Sequence, residues 1–489
     1  MNDVSSPAKP PESSDPAKQI NRHPGASYQD IIAADRIPPP HVLAHESYVF
    51  LGDEDVSADR YSSQAFYDRE MDRIWRRVWQ WACRVEHIPE AGDYYNYNIG
   101  KYSFLVVRGE KGEIKAFYNN CQHRGTKIRT GEGCGHTKEF QCPFHGWTYA
   151  LDGSLKPIPC AWDFSHVDRA KFGLTEVRVG VWAGFVFINM DPNAPSLEDY
   201  LAPLPEHFKN WDIGKRYVGI HVEKDLPCNW KAAAESFMEQ YHLRATHPQL
   251  VDVIADTNTQ YDIYGNHVSR FVAAMATPSP EVRNPLSPDE IINLMIVGDA
   301  SVSRDPVKIK KGESPRSVMA DYLRKVLGEK SKTDLSACSD AEMIDPIQYY
   351  VFPNFFVWPG VSIPIVYRMR PRADSPDQST LEVIYLRMLP EGEEAPPPPD
   401  PIHLGEDDSF LTVPDLDRYS AATFDQDVDN LRAQRAGCKL MQKGLTFSNY
   451  QEIRLRHLNQ TVDKYLSGEL GGNTIDFRPQ PQAGRVPGK

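Results

Sequence analysis

The sequence predicts an α+β protein: an all-β unit, then a larger unit with an antiparallel sheet covered by helices. Three observations carry that prediction. Residues 79–190 are short apolar segments with turn signals between them, the texture of hairpin-linked strands. One helical stripe precedes them. After residue 190, strand-like and helix-like stretches follow one another without the regular alternation that a parallel sheet requires.

In chain order, residues 1–45 are rich in Pro, Ser and Asp and read as a disordered or loosely packed arm. Residues 46–78 form a helical segment expected to pack on the larger unit. Within a helix predicted over 63–82, Tyr67, Met71, Ile74, Trp75 and Val78 share one face. The β unit, 79–190, shows strands at 103–107, 114–118, 177–182 and 185–188, and a turn at Asp152-Gly153. The larger unit, 191–480, begins with a strand at 217–222 and a helix at 230–245. Strands at 355–368 and 381–389 and helices at 427–434 and 449–465 complete it. Residues 275–345 lack periodicity and read as an insertion. The Pro-rich acidic stretch 391–408 reads as a solvated loop.

Composition excludes several classes. Fifty-four Lys and Arg against 67 Asp and Glu give a net charge of −13, which argues against a nucleic-acid-binding surface. No apolar run reaches the roughly 18 residues that a membrane span needs. The N-terminal residues carry no signal-like apolar core, so a cytoplasmic location is the default expectation. Eight cysteines in 489 residues make no disulfide scaffold.

The informative cysteines are two. Cys121-Gln122-His123 and Cys142-Pro143-Phe144-His145 each offer a thiolate and an imidazole from one tight loop, with residues 124–141 between them. Two sulfurs and two ring nitrogens suit tetrahedral zinc, or a [2Fe–2S] cluster with two Cys on one iron and two His on the other. Zinc sites group their ligands as Cys pairs and His pairs. One Cys and one His per loop suits the two-iron cluster. The runs CQHRG and CPFHGW resemble the cluster-binding loops of Rieske proteins. On that resemblance Cys121, His123, Cys142 and His145 are the cluster ligands, and Cys134 and His136 are packing residues.

A cluster only moves electrons, and some 300 residues remain. In the stretch 229–247, His242 and His247 are five apart, about 140° on an ideal helix. Pro248 biases His247 out of helical conformation, so the helix is expected to break and let both rings converge. Glu239 and His242 stand at i, i+3 and share a face. This stretch resembles the mononuclear iron motif of Rieske non-haem iron oxygenases, with Ser236 in place of the usual Asn. A facial triad needs a carboxylate beside two histidines. Residues 424–431 resemble the family's distal acidic motif, which nominates Asp427, with Asp425 and Asp429 as alternatives.

The resemblance covers about residues 60–470. It implies a [2Fe–2S] Rieske cluster and a mononuclear non-haem Fe(II), with O2 and a small, aromatic organic substrate as reactants. Electrons from NADH arrive through a separate reductase and, in some systems, a ferredoxin. It implies a homotrimer (α3) or an α3β3 assembly in which His145 of one subunit meets Glu239 of the next. Ring dihydroxylation is the expected reaction and O- or N-demethylation the alternative; Glu at 239 occurs among oxygenases of quaternary amines. An electron carrier without mononuclear iron, or a zinc-stabilised module without labile sulfide, are the readings from other classes. Phe237, Met238, Phe352, Phe355, Phe356 and Phe424 are candidate pocket residues. Arg244, Arg368 and Arg370 are nearby cations for which solvation is expected.

Overall fold

The computed structural model describes residues 22–297 and 307–472. Two sheets organise it. The first has seven strands in the order Gln80–Arg84, Phe185–Asn189, Glu176–Trp182, Ile114–Tyr118, Tyr102–Arg108, Asp93–Ile99 and Gly133–His136. Its adjacent strands pair antiparallel, and Phe185–Asn189 is buried along its whole length. Beside it a two-stranded ribbon, Phe140–Gln141 with Thr148–Tyr149, carries one of the Cys/His loops. A small core of Leu105, Phe117, Ile128, Phe140, Trp147 and Tyr149 lies beneath both loops.

The second sheet has eight strands, in the order Gln260–Tyr264, Val268–Val272, Ile347–Val351, Phe355–Val357, Ile365–Pro371, Ser379–Met388, Arg216–Leu226 and Ile402–Leu404. Every pairing is antiparallel except the last. Strands of Val, Ile, Tyr and Phe buried on both faces build its centre, as expected where helices cover a sheet. The helices Trp230–Glu235, Arg418–Cys438 and Ile453–Ser467 contribute to the same core. No helix among the described residues is long and apolar enough to cross a membrane.

The structure departs from the sequence-based expectations in several places, and the strand expected over 355–368 is two, Phe355–Val357 and Ile365–Pro371. Residues 22–45 are packed: Tyr28 and Leu43 are buried, and the Tyr28 hydroxyl donates to Asp345 at 3.0 Å. Three apolar anchors, Tyr28, Ile32 and Leu43, suffice to hold a segment whose average composition looks loose. Residues 1–21 lie outside the described residues. The helix expected over 63–82 runs as Gln64–Glu70 and closes with a π turn, Met71–Trp75; Gln80–Arg84 is already a strand, because Trp79, Trp81 and Ala82 need burial on both faces. Residues 275–345 hold the helices Pro288–Val297, Pro315–Ser331 and Asp340–Ile344, with their own apolar cluster around Ile292, Ala320 and Met343. The loop 391–408 is largely exposed, but Ile402–Leu404 docks parallel to Val222–Lys224 and covers the sheet edge.

A further departure concerns Arg368 and Arg370, which are buried between the two sheets. Arg368 stands opposite Glu382 in the strand register, and its Nε donates to Glu382 at 2.7 Å. Its remaining donors reach the carbonyls of Trp81 and Ala82 in the first sheet. Arg370 donates to the Asn98 carbonyl at 2.9 Å and to Glu132 and Glu223. In return Arg84 donates to the Arg216 carbonyl at 2.7 Å, and Glu86 accepts the Val218 amide at 3.1 Å. The two units of one chain are therefore joined through charged groups on both sides.

Candidate metal centres

Each Cys/His loop closes on itself. The Gly125 amide donates to the Cys121 carbonyl at 2.8 Å, and the Gly146 amide to the Cys142 carbonyl at 3.1 Å. Both glycines have positive φ, +76° and +71°, a conformation a side chain would strain. The thiols of Cys121 and Cys142 are buried, whereas His123 is half-buried and His145 exposed. The His123 and His145 ring centroids lie 4.7 Å apart, and His123 stacks on Trp147 at 4.9 Å. Burial raises the Cys121 thiol pKa against the Tyr149 hydroxyl, and Cys142 adds to the rise. The Tyr149 oxygen accepts the Gln122 amide at 2.9 Å and lies 3.3 Å from Cys121 Sγ, so its proton is free to face the sulfur.

The donor set suits a cluster. Two buried thiols and two rings converge, and the buried His123 Nδ1 has no hydrogen-bond partner. Orphaned nitrogens of this kind call for a ligand. Cys134 and His136 lie on the strand Gly133–His136, away from this grouping; His136 Nδ1 is 2.8 Å from Asp93. Phe144, beside His145, and Trp162 are exposed.

The second centre rests on a broken helix. The stretch 230–245 expected as one helix is helical only over Trp230–Glu235 and Leu243–Thr246. Glu239 explains the break. Its carboxylate accepts the amides of Tyr241 and His242, so those donors turn to a side chain instead of a carbonyl one turn back. His247 ends the second piece in non-helical conformation just before Pro248. The rings of His242 and His247 then converge, with centroids 5.2 Å apart.

Asp427 completes the group. Its Oδ1 lies 2.8 Å from His247 Nε2 and 3.4 Å from His242 Nε2. One ligand atom from each of the three residues falls within 4.8 Å of the others. The outer nitrogens are held away from this point: His242 Nδ1 is 2.5 Å from Glu239, and His247 Nδ1 is 2.8 Å from the Gln426 side-chain oxygen. Outward Nδ1–H bonds leave both Nε2 lone pairs facing Asp427, an arrangement that orients metal-binding histidines. Burial disfavours His242's charged form, but Glu239 and Asp427 raise its pKa to about 10. A divalent cation would replace that proton and satisfy the same carboxylates. Asp425 is occupied elsewhere, accepting from Ser409 Oγ at 2.5 Å and the Phe410 amide at 2.9 Å, and Asp429 is exposed.

The surroundings are apolar on one side. Phe237 lies 5.3 Å from Tyr367 and 5.9 Å from Phe424, ring to ring. Met238, Phe352, Phe355 and Phe356 are fully buried core. Arg244 is exposed. His221, Glu223 and Glu382 also come together, but Arg368 and Arg370 neutralise the two carboxylates, so that group is an ion-pair network and not a second cation site. Sequence reasoning missed Gln426 and Tyr149, whose roles depend on contacts between segments far apart in the chain.

Glu235 ends the first helical piece. It is fully buried and accepts from Tyr61 at 2.6 Å and Asn459 at 2.9 Å. Burial raises its pKa to about 7, although both donors pull it down. An unfolded Glu titrates near 4.3, so ionising Glu235 works against folding above that pH, and the penalty levels off above about 7. Glu235→Gln is expected to stabilise the protein at pH 8 by up to about 3 kcal/mol. The gain should shrink steadily as pH falls below 7, which denaturant unfolding at several pH values would show.

A half-buried Cys/His cluster site joined to a two-histidine, one-carboxylate site defines a Rieske-type non-haem iron protein. The sequence profile described as "Rieske [2Fe-2S] domain" matches residues 78–168, and that described as "Ring hydroxylating alpha subunit (catalytic domain)" matches residues 214–468. The chain belongs to the ring-hydroxylating α-subunit family of Rieske oxygenases, whose two domains carry a [2Fe–2S] cluster and a mononuclear iron.

Among its relatives, the glycine betaine monooxygenase oxygenase subunit of Pseudomonas aeruginosa is 32% identical over 198 residues, 40% of this chain and 45% of that protein. Biphenyl 2,3-dioxygenase subunit alpha of Rhodococcus jostii is 32% identical over 200 residues, 40% and 43% respectively. The carnitine monooxygenase oxygenase subunit of Escherichia coli is 30% identical over 228 residues, 46% and 60%. The chain thus spans about half the length of the curated relatives it matches. In fold it is similar to a quaternary ammonium Rieske monooxygenase solved with L-carnitine: TM-score 0.59, 18% identity, 84% of this chain and 95% of that one. It is also similar to naphthalene 1,2-dioxygenase with indole bound: TM-score 0.57, 19% identity, 86% and 94%.

Proposed function

We propose that this chain is the terminal oxygenase component of a multicomponent Rieske system, hydroxylating a small aromatic substrate with O2 and electrons relayed from NADH. The observation that carries this reading is the convergence of His242, His247 and Asp427 beside the ring faces of Phe237, Phe424 and Tyr367. Cys121, His123, Cys142 and His145 would hold the cluster, and His242, His247 and Asp427 the mononuclear iron. When bound, the iron supplies open positions for O2 beside the substrate, and the cluster supplies the electrons.

The protein's own groups do the rest. Glu239 and Gln426 hold the outer nitrogens of the two histidines and fix which ring nitrogen faces the metal. The Phe237 and Phe424 rings keep water from one side and offer flat faces to a substrate ring. The exposed Phe144 and Trp162 beside the cluster loops offer an apolar contact for a neighbouring subunit or an electron donor. In a trimer, His145 of one subunit would approach Glu239 of the next, and one carboxylate would accept from histidines of both centres.

N- or O-demethylation is the second reading. It is favoured by Glu239 and by the glycine betaine and carnitine monooxygenases among the relatives. Aromatic faces bind a quaternary ammonium as readily as an arene.

Single turnover of reduced, iron-replete protein with 18O-labelled O2 and a panel of arenes, methoxyarenes and methylamines tests the proposal. An arene product carrying two labelled oxygens is the expected result. Formaldehyde with a demethylated product would replace the first reading by the second. Retention of full mononuclear iron in a His242→Ala protein would overturn both.

A further inference from the structure

The turn that presents Glu239 and His242 bonds its Tyr241 and His242 amides to the Glu239 carboxylate, and its Phe237 and Met238 carbonyls and Gln240 amide to side chains of other elements. It lies between two short helical pieces, Trp230–Glu235 and Leu243–Thr246. We infer that Arg454, Gln348 and Tyr261 act as a buried clamp that positions this turn and so sets the metal-binding geometry of His242. The inference rests on the assignment of His242 as an iron ligand.

Each member grips a different backbone group of the turn. Gln348 Nε2 donates to the Phe237 carbonyl at 2.6 Å. Arg454 Nη1 donates to the Met238 carbonyl at 3.0 Å. The Tyr261 hydroxyl accepts the Gln240 amide at 3.1 Å. All three are buried, and each comes from a separate element: the strand Ile347–Val351, the helix Ile453–Ser467 and the strand Gln260–Tyr264. Arg454 and Gln348 are also bonded to each other, Nη1 to Oε1 at 2.7 Å. Ser269 Oγ accepts Arg454 Nε at 3.0 Å, and Gln348 Nε2 reaches the Tyr367 hydroxyl at 2.6 Å. The clamp is thus fastened to the sheet and touches a ring of the apolar wall.

Arg454 is the expensive member. Its hydrogen bonds all go to neutral acceptors, and its Nη2 is buried without one. A buried guanidinium without a counter-charge works against stability, and Leu or Met would fill the space at less cost. Burial pulls its pKa down to about 10. What an apolar side chain lacks is a pair of donors at fixed angles, one for the Met238 carbonyl and one for the glutamine that holds residue 237. Groups that orient metal-binding side chains from behind change metal affinity by about 10- to 100-fold.

The test uses the full chain with its cluster intact and the mononuclear iron removed by chelation. Fe(II) is titrated back anaerobically, and the nitrosyl adduct is examined by electron paramagnetic resonance. Gln348→Glu gives Arg454 a counter-charge but removes the donors to the Phe237 carbonyl and Tyr367. A packing role predicts an unlowered Tm and unchanged iron affinity. The clamp predicts an unchanged cluster spectrum, with Fe(II) affinity weakened about 10-fold and an altered nitrosyl signal in the folded protein. Tyr261→Phe, an isosteric change, should weaken Fe(II) binding a few-fold. It decides the matter by the same two readouts should Gln348→Glu not fold. Wild-type affinity and signal in the folded variants would overturn the clamp. His242→Ala separates the two layers: retained iron there would sink the ligand assignment, whereas lost iron there with unaffected clamp variants would sink the clamp alone.

Discussion

Asp427→Ala is expected to empty the mononuclear site and leave the cluster in place. Iron should fall from about three to about two per chain, with labile sulfide and cluster absorption unchanged. Turnover should drop by more than about 100-fold, beyond what loss of a supporting group costs. The reasoning is geometric. Asp427 Oδ1 is the carboxylate oxygen near both Nε2 atoms, at 2.8 and 3.4 Å. Without it two neutral rings remain, a weak and neutral donor pair for a hard divalent cation. Asp425→Ala and Asp429→Ala are the controls. Asp425 serves the Ser409–Phe410 turn and Asp429 faces solvent, so both proteins should keep their iron. Loss of iron in the Asp429 protein with retention in the Asp427 protein would reverse the assignment.

Arg368→Met should give the largest loss of stability. Burial raises the Glu382 pKa, but Arg368 and then His221 hold it far below the usual carboxylate range. Removing the guanidinium takes away the main partner of the buried Glu382, leaving it Arg370 at 3.4 Å and the His221 ring at 3.1 Å, and leaves the Trp81 and Ala82 carbonyls without that donor. It also removes a cation stacked 4.3 Å from the Trp81 ring. Breaking one side of a buried pair costs about 3–5 kcal/mol. The expected readout is a lowered thermal unfolding midpoint. Adding Glu382→Gln should recover part of the loss, because a buried carboxylate short of its main counter-charge outweighs the missing contact. A double variant no more stable than Arg368→Met alone would assign the loss to the carbonyls instead.

Much of the candidate site was readable in the chain because most of its residues are local. The Cys/His pairs sit on single loops, and His242 and His247 are five residues apart with Pro248 marking the break between them. Asp427 was harder. It lies 180 residues from His247, and three aspartates crowd the middle of one helix, so only the phase of Arg418–Cys438 against the turn separates them. Glu239 and His242 do touch, though not by helical spacing: the Glu239 carboxylate itself undoes the helix that the spacing presumed. The supporting residues Gln426, Gln348, Tyr261 and Arg454 carried no local signal, because each matters through a partner on another element. Arg368 and Arg370 looked like solvent-facing cations. Their burial depends on Glu382 and Glu223 in neighbouring strands, which no window of the chain displays.

The hydroxyl of Tyr61 bonds Glu235, and Asn459, 398 residues further along, donates to both. Around it Val56 pairs with Leu445, Arg60 with Asp463, and Arg456 reaches the Glu54 carbonyl. On the ribosome these early residues emerge long before their partners. At roughly 5–20 residues per second, they wait on the order of 20–80 s for the last helix. Glu235 follows Tyr61 by 174 residues and waits 224 more for Asn459, and Asp427 follows His247 by 180, so the buried supports of the candidate iron site assemble late in synthesis.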